Sequence, residues 1–170
     1  MITGKAGSGK DTFYNLAKKY IEQTCNYIYP FAFANKVKEV ARMLGWNGIK
    51  DDKGRKLLQD IGAVGRTYNK NIWVRYVLTD IKRLSRNAVP IITDLRFANE
   101  YTIIRDYVKE PIYVVNIVGR QSDLGVNAND VSEAGLTEEE LGTKFITIDN
   151  SGTMEEFELN VKKALKEMGL

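Results

Sequence analysis

The chain alternates between two hydrophobic periodicities. Apolar residues three to four positions apart predict amphipathic helices, and short β-branched or aromatic runs predict strands. The helix-like segments are DTFYNLAKKYIEQT, NKVKEVARMLG, RKLLQDIGAVGR, IWVRYVLTDIKRLS, FANEYTIIRDYV and TMEEFELNVKKALKEM. The strand-like segments are residues 27–33, 89–93, 112–118 and 145–149. Thr153 and Glu156 fit a capping box, so we expect the last helix to begin beside them.

Strands that alternate with helices predict an α/β protein with a mostly parallel sheet covered on both faces. Ligands of such proteins bind at the carboxyl ends of the strands. Glycine or polar residues follow the predicted strands at Gly4, Thr93–Asp94, Val118–Arg120 and Asp149–Asn150. We therefore expect a binding site along that edge. Only three residues precede Gly4, so the strand before it is either very short or lacks residues in this sequence.

Two segments lack either periodicity. Gln121 to Leu141 combines Ser, Asp, Asn, Gly and Glu with few apolar residues, so we expect it to be solvated and mobile. A second loop is predicted around Gly48, Asp51, Asp52 and Gly54. Both segments should connect the regular elements rather than contribute to the core.

Composition narrows the classes of function. A length of 170 residues suits one domain, and 25 Lys and Arg against 22 Asp and Glu is too balanced for a nucleic-acid coat or a membrane-surface protein. No apolar run could span a bilayer, and no signal peptide is visible. One cysteine, Cys25, and no histidine exclude an internal disulfide, a His/Cys zinc site and a Ser-His-Asp triad. We expect a cytoplasmic protein whose metal, if any, is a hard cation bound by oxygen atoms.

The segment GKAGSGKDT fits the phosphate-loop pattern Gly-x-x-x-x-Gly-Lys. Its glycines let the backbone wrap around an anion, and a helix that begins near Lys10 adds its positive dipole end. Lys10 is expected to bridge the β- and γ-phosphates. An ordinary glycine turn is the disfavoured alternative, because spacing, lysine and context agree. The loop residues predicted to bind ATP are Gly4, Lys5, Ala6, Gly7, Ser8, Gly9, Lys10, Asp11 and Thr12.

Asp11 stands where the pattern normally has the serine or threonine that contacts Mg²⁺. Its carboxylate would either hold the metal, directly or through water, or cap the start of the helix. The sequence leaves these two roles equally open. Thr12 supplies a hydroxyl one position later and is expected at the α-phosphate.

The segment TDLRF follows the predicted strand 89–93. Asp94 is placed where a metal-orienting or base residue is expected, and Arg96 is placed to clamp a phosphate. The alternative is a helix cap beside a surface arginine. The phosphate loop in the same chain favours the functional interpretation.

Six segments in this order resemble the phage-type deoxynucleoside monophosphate kinases of the phosphate-loop nucleotide kinase superfamily. They are GKAGSGKDT, FANKVKEVARMLGW, KLLQDIGAVGRTYNKNIWV, ITDLRFANE, VSEAGL and IDNSGTMEEF. The resemblance covers nearly the whole chain. It implies one three-layer domain over residues 1–170, with a five-stranded, mostly parallel sheet, an acceptor-binding helical region at 34–86 and a mobile lid at 121–141.

The resemblance also implies residue roles. ATP would lie on the phosphate loop, with its base near Asn150 to Thr153, and Arg120 would stand at the lid. Lys10, Asp94, Arg96 and Arg120 would form the catalytic set, and Asp11 would be the metal ligand. The residues that would bind the acceptor are Lys38, Gln59, Arg66, Trp73 and Arg96.

Several of these residues have a structural alternative. Lys38 fits a solvated helix face equally well. Trp73 is more often a core residue than a base stacker. Arg55 is interpreted as a surface residue, Glu100 and Glu133 are weak candidates, and Cys25 is interpreted as a structural thiol.

The function expected from the sequence is ATP- and Mg²⁺-dependent phosphorylation of a deoxynucleoside monophosphate. A kinase of another small metabolite, of the dephospho-coenzyme A or phosphomevalonate type, is the first alternative. A nucleotide-binding switch or ATPase is the second, and no guanine-type Asn-Lys-x-Asp motif supports it. The expected partner is a small nucleotide, with no nucleic acid and no membrane. Base preference, ribose preference and formation of a homodimer stay open.

Overall fold

The computed structural model describes residues 1–24, 27–85, 87–120 and 135–170. Cys25 and Glu133 lie outside these residues, as does most of the predicted lid. The helices are α1 (Lys10–Ile21), followed by a 3₁₀ turn (Glu22–Thr24), α2 (Ala34–Met43), α3 (Asp52–Tyr68), α4 (Ile72–Ile81), α5 (Ala98–Tyr107), α6 (Glu138–Leu141) and α7 (Met154–Glu167). The strands are β1 (Ile2–Thr3), β2 (Tyr27–Phe31), β3 (Ala88–Ile92), β4 (Val114–Val118) and β5 (Phe145–Asp149).

All the strand pairs of the described residues are parallel, in a mixed α/β architecture. One sheet has the order β1-β4-β5, and a second consists of β2 and β3. The register pairs Ile2 with Val115 in the first sheet and Ile28 with Val89 in the second. Just beyond β3, the backbone N–H of Leu95 donates to the carbonyl oxygen of Ile2 at 3.0 Å. This bond links the end of β3 to β1.

Two apolar clusters hold the layers together. In one, Phe13 and Ala17 of α1 pack with Phe157 and Val161 of α7 against the strands, all of them buried. The other brings α4 and α5 together with the segment after β3. The predicted apolar stripe of the last helix is confirmed, and so is its capping box: Thr153 Oγ1 accepts from Glu156 N, and Glu156 Oε2 accepts from Thr153 N.

Several predicted boundaries change. Strand β2 ends at Phe31 rather than at residue 33, and α2 ends at Met43, with Leu44 after it exposed. Asp52 and Gly54 belong to α3 rather than to a loop, since Asp51 caps that helix by accepting from Gly54 N at 2.7 Å.

The end of the predicted mobile segment is structured. Thr137 and Glu140 form a capping box that begins α6, and Leu141 is buried in the second apolar cluster. The prediction of a solvated loop reaching residue 141 is therefore wrong at its carboxyl end. Within the described residues, no helix has the length and apolar character needed to traverse a membrane.

Candidate functional site

The phosphate loop, residues 4–12, turns sharply after β1 and runs into the first turn of α1. Gly4, Gly7 and Gly9 all have positive φ angles, of 137°, 76° and 103°. A Cβ atom on Gly4 would lie 2.5 Å from the carbonyl oxygen of Ile117, and one on Gly9 would lie 2.4 Å from Asn150 Nδ2. Neither position has room for a side chain, and neither conformation suits an L-residue. The loop can therefore follow this path only with glycine at these positions.

Asn150 anchors the loop from the far side. Its buried amide donates from Nδ2 to the carbonyl oxygen of Ser8 at 2.8 Å. Ser8 is 1% exposed, and its hydroxyl finds no hydrogen-bond partner among the described residues. The loop therefore contains one buried side-chain oxygen whose hydrogen-bonding capacity is not satisfied by the described residues.

Lys10 lies over the loop. Its ammonium group donates to the carbonyl oxygens of Gly4 and Lys5, both at 2.7 Å. Asp11 follows in the first turn of α1, where a negative charge complements the helix dipole. Both side chains border a cleft of about 460 Å³ between the loop, α2, α3 and the turn after β3, and we call it the large cleft.

The large cleft is strongly cationic. Three carboxylates, Asp11, Asp94 and Glu100, share it with six cationic side chains. These are Lys10, Lys38, Lys50, Arg55, Arg66 and Arg96. Burial, followed by the nearby ammonium of Lys50, lowers the pKa of Lys38. Concentrated positive charge with few counter-ions is the electrostatic signature of a site for polyanions.

Asp94 connects β3 to α2. Its Oδ1 accepts from Phe33 N at 2.8 Å, and its Oδ2 accepts from Ala34 N at 2.9 Å, so the carboxylate caps the start of α2. Burial raises the pKa of Asp94, and these two bonds together with Arg96 oppose that shift. The cap expected as the alternative role is present, although on α2 rather than on the helix that follows. The metal-orienting role stays a prediction.

Arg66 is held from both sides. Its guanidinium carbon lies 4.3 Å from the centroid of the Phe97 ring, and its two terminal nitrogens pass close to Gly62, where a Cβ would lie 3.3 Å from each. Trp73 is 6% exposed and donates from Nε1 to the carbonyl oxygen of Gly62 at 3.1 Å. Trp73 thus has the expected core role and also contributes to the wall of the large cleft.

No protein-family model matches this sequence, and neither does any curated protein.

Most of the residues predicted for the site meet in one place. The large cleft brings together Ala6, Gly7, Lys10, Asp11, Lys38, Gln59, Arg66, Trp73, Asp94 and Arg96. Arg120 does not line it. That guanidinium donates to the carbonyl oxygen of Gly152 at 2.7 Å and borders a second hollow, of about 390 Å³, beside Gly4 and Lys5. Asn150 lies behind the loop rather than in either hollow.

Sequence reasoning missed Lys50 and Phe97 and assigned Arg55 to the surface. Arg55 lies on the same helical face as Gln59, Gly62 and Arg66, at intervals of four, three and four residues. That spacing could have predicted that Arg55 lies on the same side of α3 as the proposed acceptor-binding residues. Lys50 lies in the loop before α3, where no periodicity indicates which way a side chain faces.

Proposed function

We propose that this protein transfers the γ-phosphoryl group of ATP to a deoxynucleoside 5′-monophosphate, giving a diphosphate. The observation that carries the proposal is the continuity of two anion-binding features. The glycine cradle with Lys10 opens directly into a cleft that holds five further cationic side chains. Phosphoryl transfer between two phosphates needs two anions held side by side with their charge neutralised.

The order of the strands supports a phosphate-loop kinase fold. In this proposal the two sheets form one five-stranded parallel sheet with the order β2-β3-β1-β4-β5, and the bond from Leu95 N to the carbonyl oxygen of Ile2 supports placing β3 beside β1. The connection after β1 then leads toward β2, and the connection after β3 leads the other way, toward β4. Ligands of open α/β sheets bind where neighbouring connections diverge in this manner. The phosphate loop and the Thr93–Arg96 turn flank that crevice.

In this proposal the ATP phosphates lie in the phosphate loop, where the backbone N–H groups and the first turn of α1 favour negative charge. Lys10 exchanges one or both of its carbonyl contacts for phosphate oxygens. The adenine base lies toward Asn150–Thr153, with Arg120 beside it. The positive φ angles of Gly4, Gly7 and Gly9 support this placement, because they give the loop the curvature of an anion cradle.

The acceptor monophosphate occupies the large cleft. Arg66, Arg96 and Lys38 face its phosphate, while Gln59 and Trp73 border its base. Guanidinium groups suit this role because their paired N–H groups match two phosphate oxygens.

In this proposal Mg²⁺ binds together with ATP rather than at a site formed by protein side chains alone. Among the described residues, no group of three or more His, Cys, Asp or Glu side chains is arranged to hold a metal. Mg²⁺ in phosphoryl-transfer sites is commonly held by one or two carboxylates, phosphates and water. Asp11 is the carboxylate proposed for that role, and the bound ion would supply charge neutralisation.

The chemical step requires little of the protein beyond alignment. An oxygen of the acceptor phosphate bonds to the γ-phosphorus as the bond to the β–γ bridging oxygen breaks, and ADP leaves. Because the acceptor oxygen is already anionic, no strong base is needed. Lys10, Arg66 and Arg96 neutralise the charge on the transferring group.

The proposal is tested with a coupled ADP assay on a panel of the four common deoxynucleoside monophosphates, their ribose counterparts, dephospho-coenzyme A and phosphomevalonate. Lys10→Ala should abolish turnover while the protein stays folded, and Lys18→Ala, on the exposed side of the same helix, should keep it. Phosphorylation of dephospho-coenzyme A or phosphomevalonate, without phosphorylation of any nucleotide, would favour a kinase of that metabolite. A Lys10→Ala variant with full activity would reject the site.

A further inference from the structure

Glu100 is a buried carboxyl group with no role in the mechanism described so far. It lies in the first turn of α5 and is 4% exposed. Its Oε2 accepts two backbone hydrogen bonds, from Arg96 N at 2.9 Å and from Phe97 N at 3.0 Å. One oxygen atom therefore binds two consecutive backbone N–H groups of the turn that carries Arg96.

The same turn also supports the second arginine. Phe97 is the residue whose ring lies under the Arg66 guanidinium, at 4.3 Å. Arg66 comes from α3 and Arg96 from the segment after β3, so no shared element fixes their spacing. Glu100 thus holds the backbone of Arg96 directly and reaches Arg66 through Phe97.

We propose that Glu100 is a positioning residue that holds Arg66 and Arg96 as a pair able to grip one phosphate group. This inference rests on the proposed function for the identity of that phosphate, which is the acceptor's. The pairing itself is inferred from the contacts of Glu100, Phe97 and Arg66, without reference to the substrate. If either guanidinium group moved by much less than the width of a phosphate group, the two would no longer be aligned on the same phosphate.

The protonation state of Glu100 is compatible with its role as a positioning residue. Burial raises the pKa of Glu100 to about 8, with Asp94 adding to the shift and the two backbone bonds and Arg66 opposing it. Near neutral pH the carboxyl group is therefore largely protonated. A neutral carboxyl still accepts both N–H bonds, yet it does not repel an incoming phosphate as a carboxylate would.

The competing explanation is that Glu100 only caps α5. A cap stabilises its helix and has no selective effect on one substrate. Glu100→Ala removes both bonds, and Glu100→Gln keeps an acceptor oxygen of the same shape without the acid. Ile104→Ala is the matched control, because Ile104 is buried on the same helix, 3% exposed, and does not line the large cleft.

Steady-state kinetics with dAMP and the other deoxynucleotides separate the two explanations. We expect Glu100→Ala to raise the KM for the acceptor about tenfold or more, with the KM for ATP nearly unchanged. Glu100→Gln should restore most of the wild-type acceptor KM, and Ile104→Ala should affect stability alone. An acceptor KM in Glu100→Ala no different from that in Ile104→Ala would overturn the proposal, as would a failure of Glu100→Gln to rescue.

A second measurement does not depend on turnover. Inorganic phosphate is titrated into the protein while nitrogen–proton NMR spectra of the arginine side chains are recorded, with Arg66→Lys and Arg96→Lys used for assignment. Both arginines should respond together in the wild type and in Glu100→Gln, and more weakly or separately in Glu100→Ala. If the wild type phosphorylates no nucleotide but both arginines respond, the proposed function fails while the pairing stands. If phosphate shifts neither arginine, the pairing is wrong whatever the activity.

Discussion

The side-chain amide of Asn150 donates a buried hydrogen bond to the carbonyl oxygen of Ser8, 2.8 Å away. The two residues are far apart in sequence, and the bond joins the end of β5 to the middle of the phosphate loop. The same amide nitrogen fills the space beside Gly9 where a Cβ would lie 2.4 Å away. One side chain thus both fixes the loop carbonyl and makes glycine necessary at the start of α1.

Replacement of Asn150 should weaken the phosphate loop. Asn150→Ala leaves the Ser8 carbonyl without its donor, which costs about 1–3 kcal/mol of unfolding free energy. We expect a lower midpoint in urea unfolding and weaker ATP binding by calorimetry. Asn160→Ala is the matched control, because the Asn160 amide is bonded at 3.4 Å and exposed. Equal ATP affinity in Asn150→Ala and wild type would show that the anchor does not shape the nucleotide site.

The close contact with Asn150, as well as the positive φ angle, should make a side chain at Gly9 destabilising. Gly9 and Gly45 have similar φ angles, of 103° and 91°, but a Cβ on Gly45 would meet nothing within 4 Å. Gly45→Ala therefore reports the conformational strain alone, about 1–2 kcal/mol. Gly9→Ala adds the clash with Asn150, so we expect an additional loss of about 1–3 kcal/mol. Urea unfolding of both variants measures the difference, and equal losses would contradict the clash.

The sequence predicted the helices and strands well because each element carries a complete local signal. The apolar stripe of α7, its capping box and strand β5 are all found where the pattern places them. Boundaries failed where a distant group decided them. Helix α2 begins at Ala34 because the carboxylate of Asp94, which is 60 residues away, accepts the Phe33 and Ala34 N–H groups. No local pattern indicates such a bond.

In the candidate site, too, the local features could be predicted and the long-range contacts could not. The phosphate loop was predicted because its glycines and its lysine form one contiguous motif with a characteristic spacing. The pairing of Arg66 with Phe97 depends on how α3 packs beside the end of β3, which periodicity does not specify. Lys50 was missed for a similar reason, since its place in the cleft follows from the path of a loop.

The two glycines of the segment IGAVGR should respond in opposite ways to alanine. A Cβ on Gly62 would lie 3.3 Å from the two terminal nitrogens of Arg66, which can move, whereas a Cβ on Gly65 would lie 2.3 Å from the buried Trp73 ring. Gly62→Ala should keep or gain up to about 1 kcal/mol of stability, because alanine favours a helix over glycine. Gly65→Ala should lose about 1–3 kcal/mol through overpacking.

The KM for the acceptor provides a second test of the Gly62→Ala variant. Gly62→Ala displaces the Arg66 guanidinium, so we expect a higher KM for the acceptor in a protein that is at least as stable as the wild type. Thermal unfolding and the coupled ADP assay measure the two effects. An unchanged acceptor KM in Gly62→Ala would mean that the position of Arg66 has no influence on acceptor binding.

Glu100 should also make the stability of the protein fall as the pH rises. Burial raises the pKa of Glu100 from an ordinary 4.5 to about 8. Between these values the folded protein retains a proton that the unfolded chain has lost. The stabilising contribution is therefore complete below about pH 4.5 and is lost as the pH rises through about 8, with a slope of up to about 1.4 kcal/mol per pH unit.

Urea unfolding from about pH 5 to about pH 9 measures this dependence. Glu100→Gln cannot titrate, so its stability should fall less steeply over the same range. Asp94, whose pKa burial also raises, is present in both proteins, so the difference between the two slopes reports Glu100 together with its interaction with Asp94. Parallel stability curves for Glu100→Gln and the wild type would show that Glu100 is already ionised in the folded protein near neutral pH, and the neutral-carboxyl account of the cleft would then be wrong.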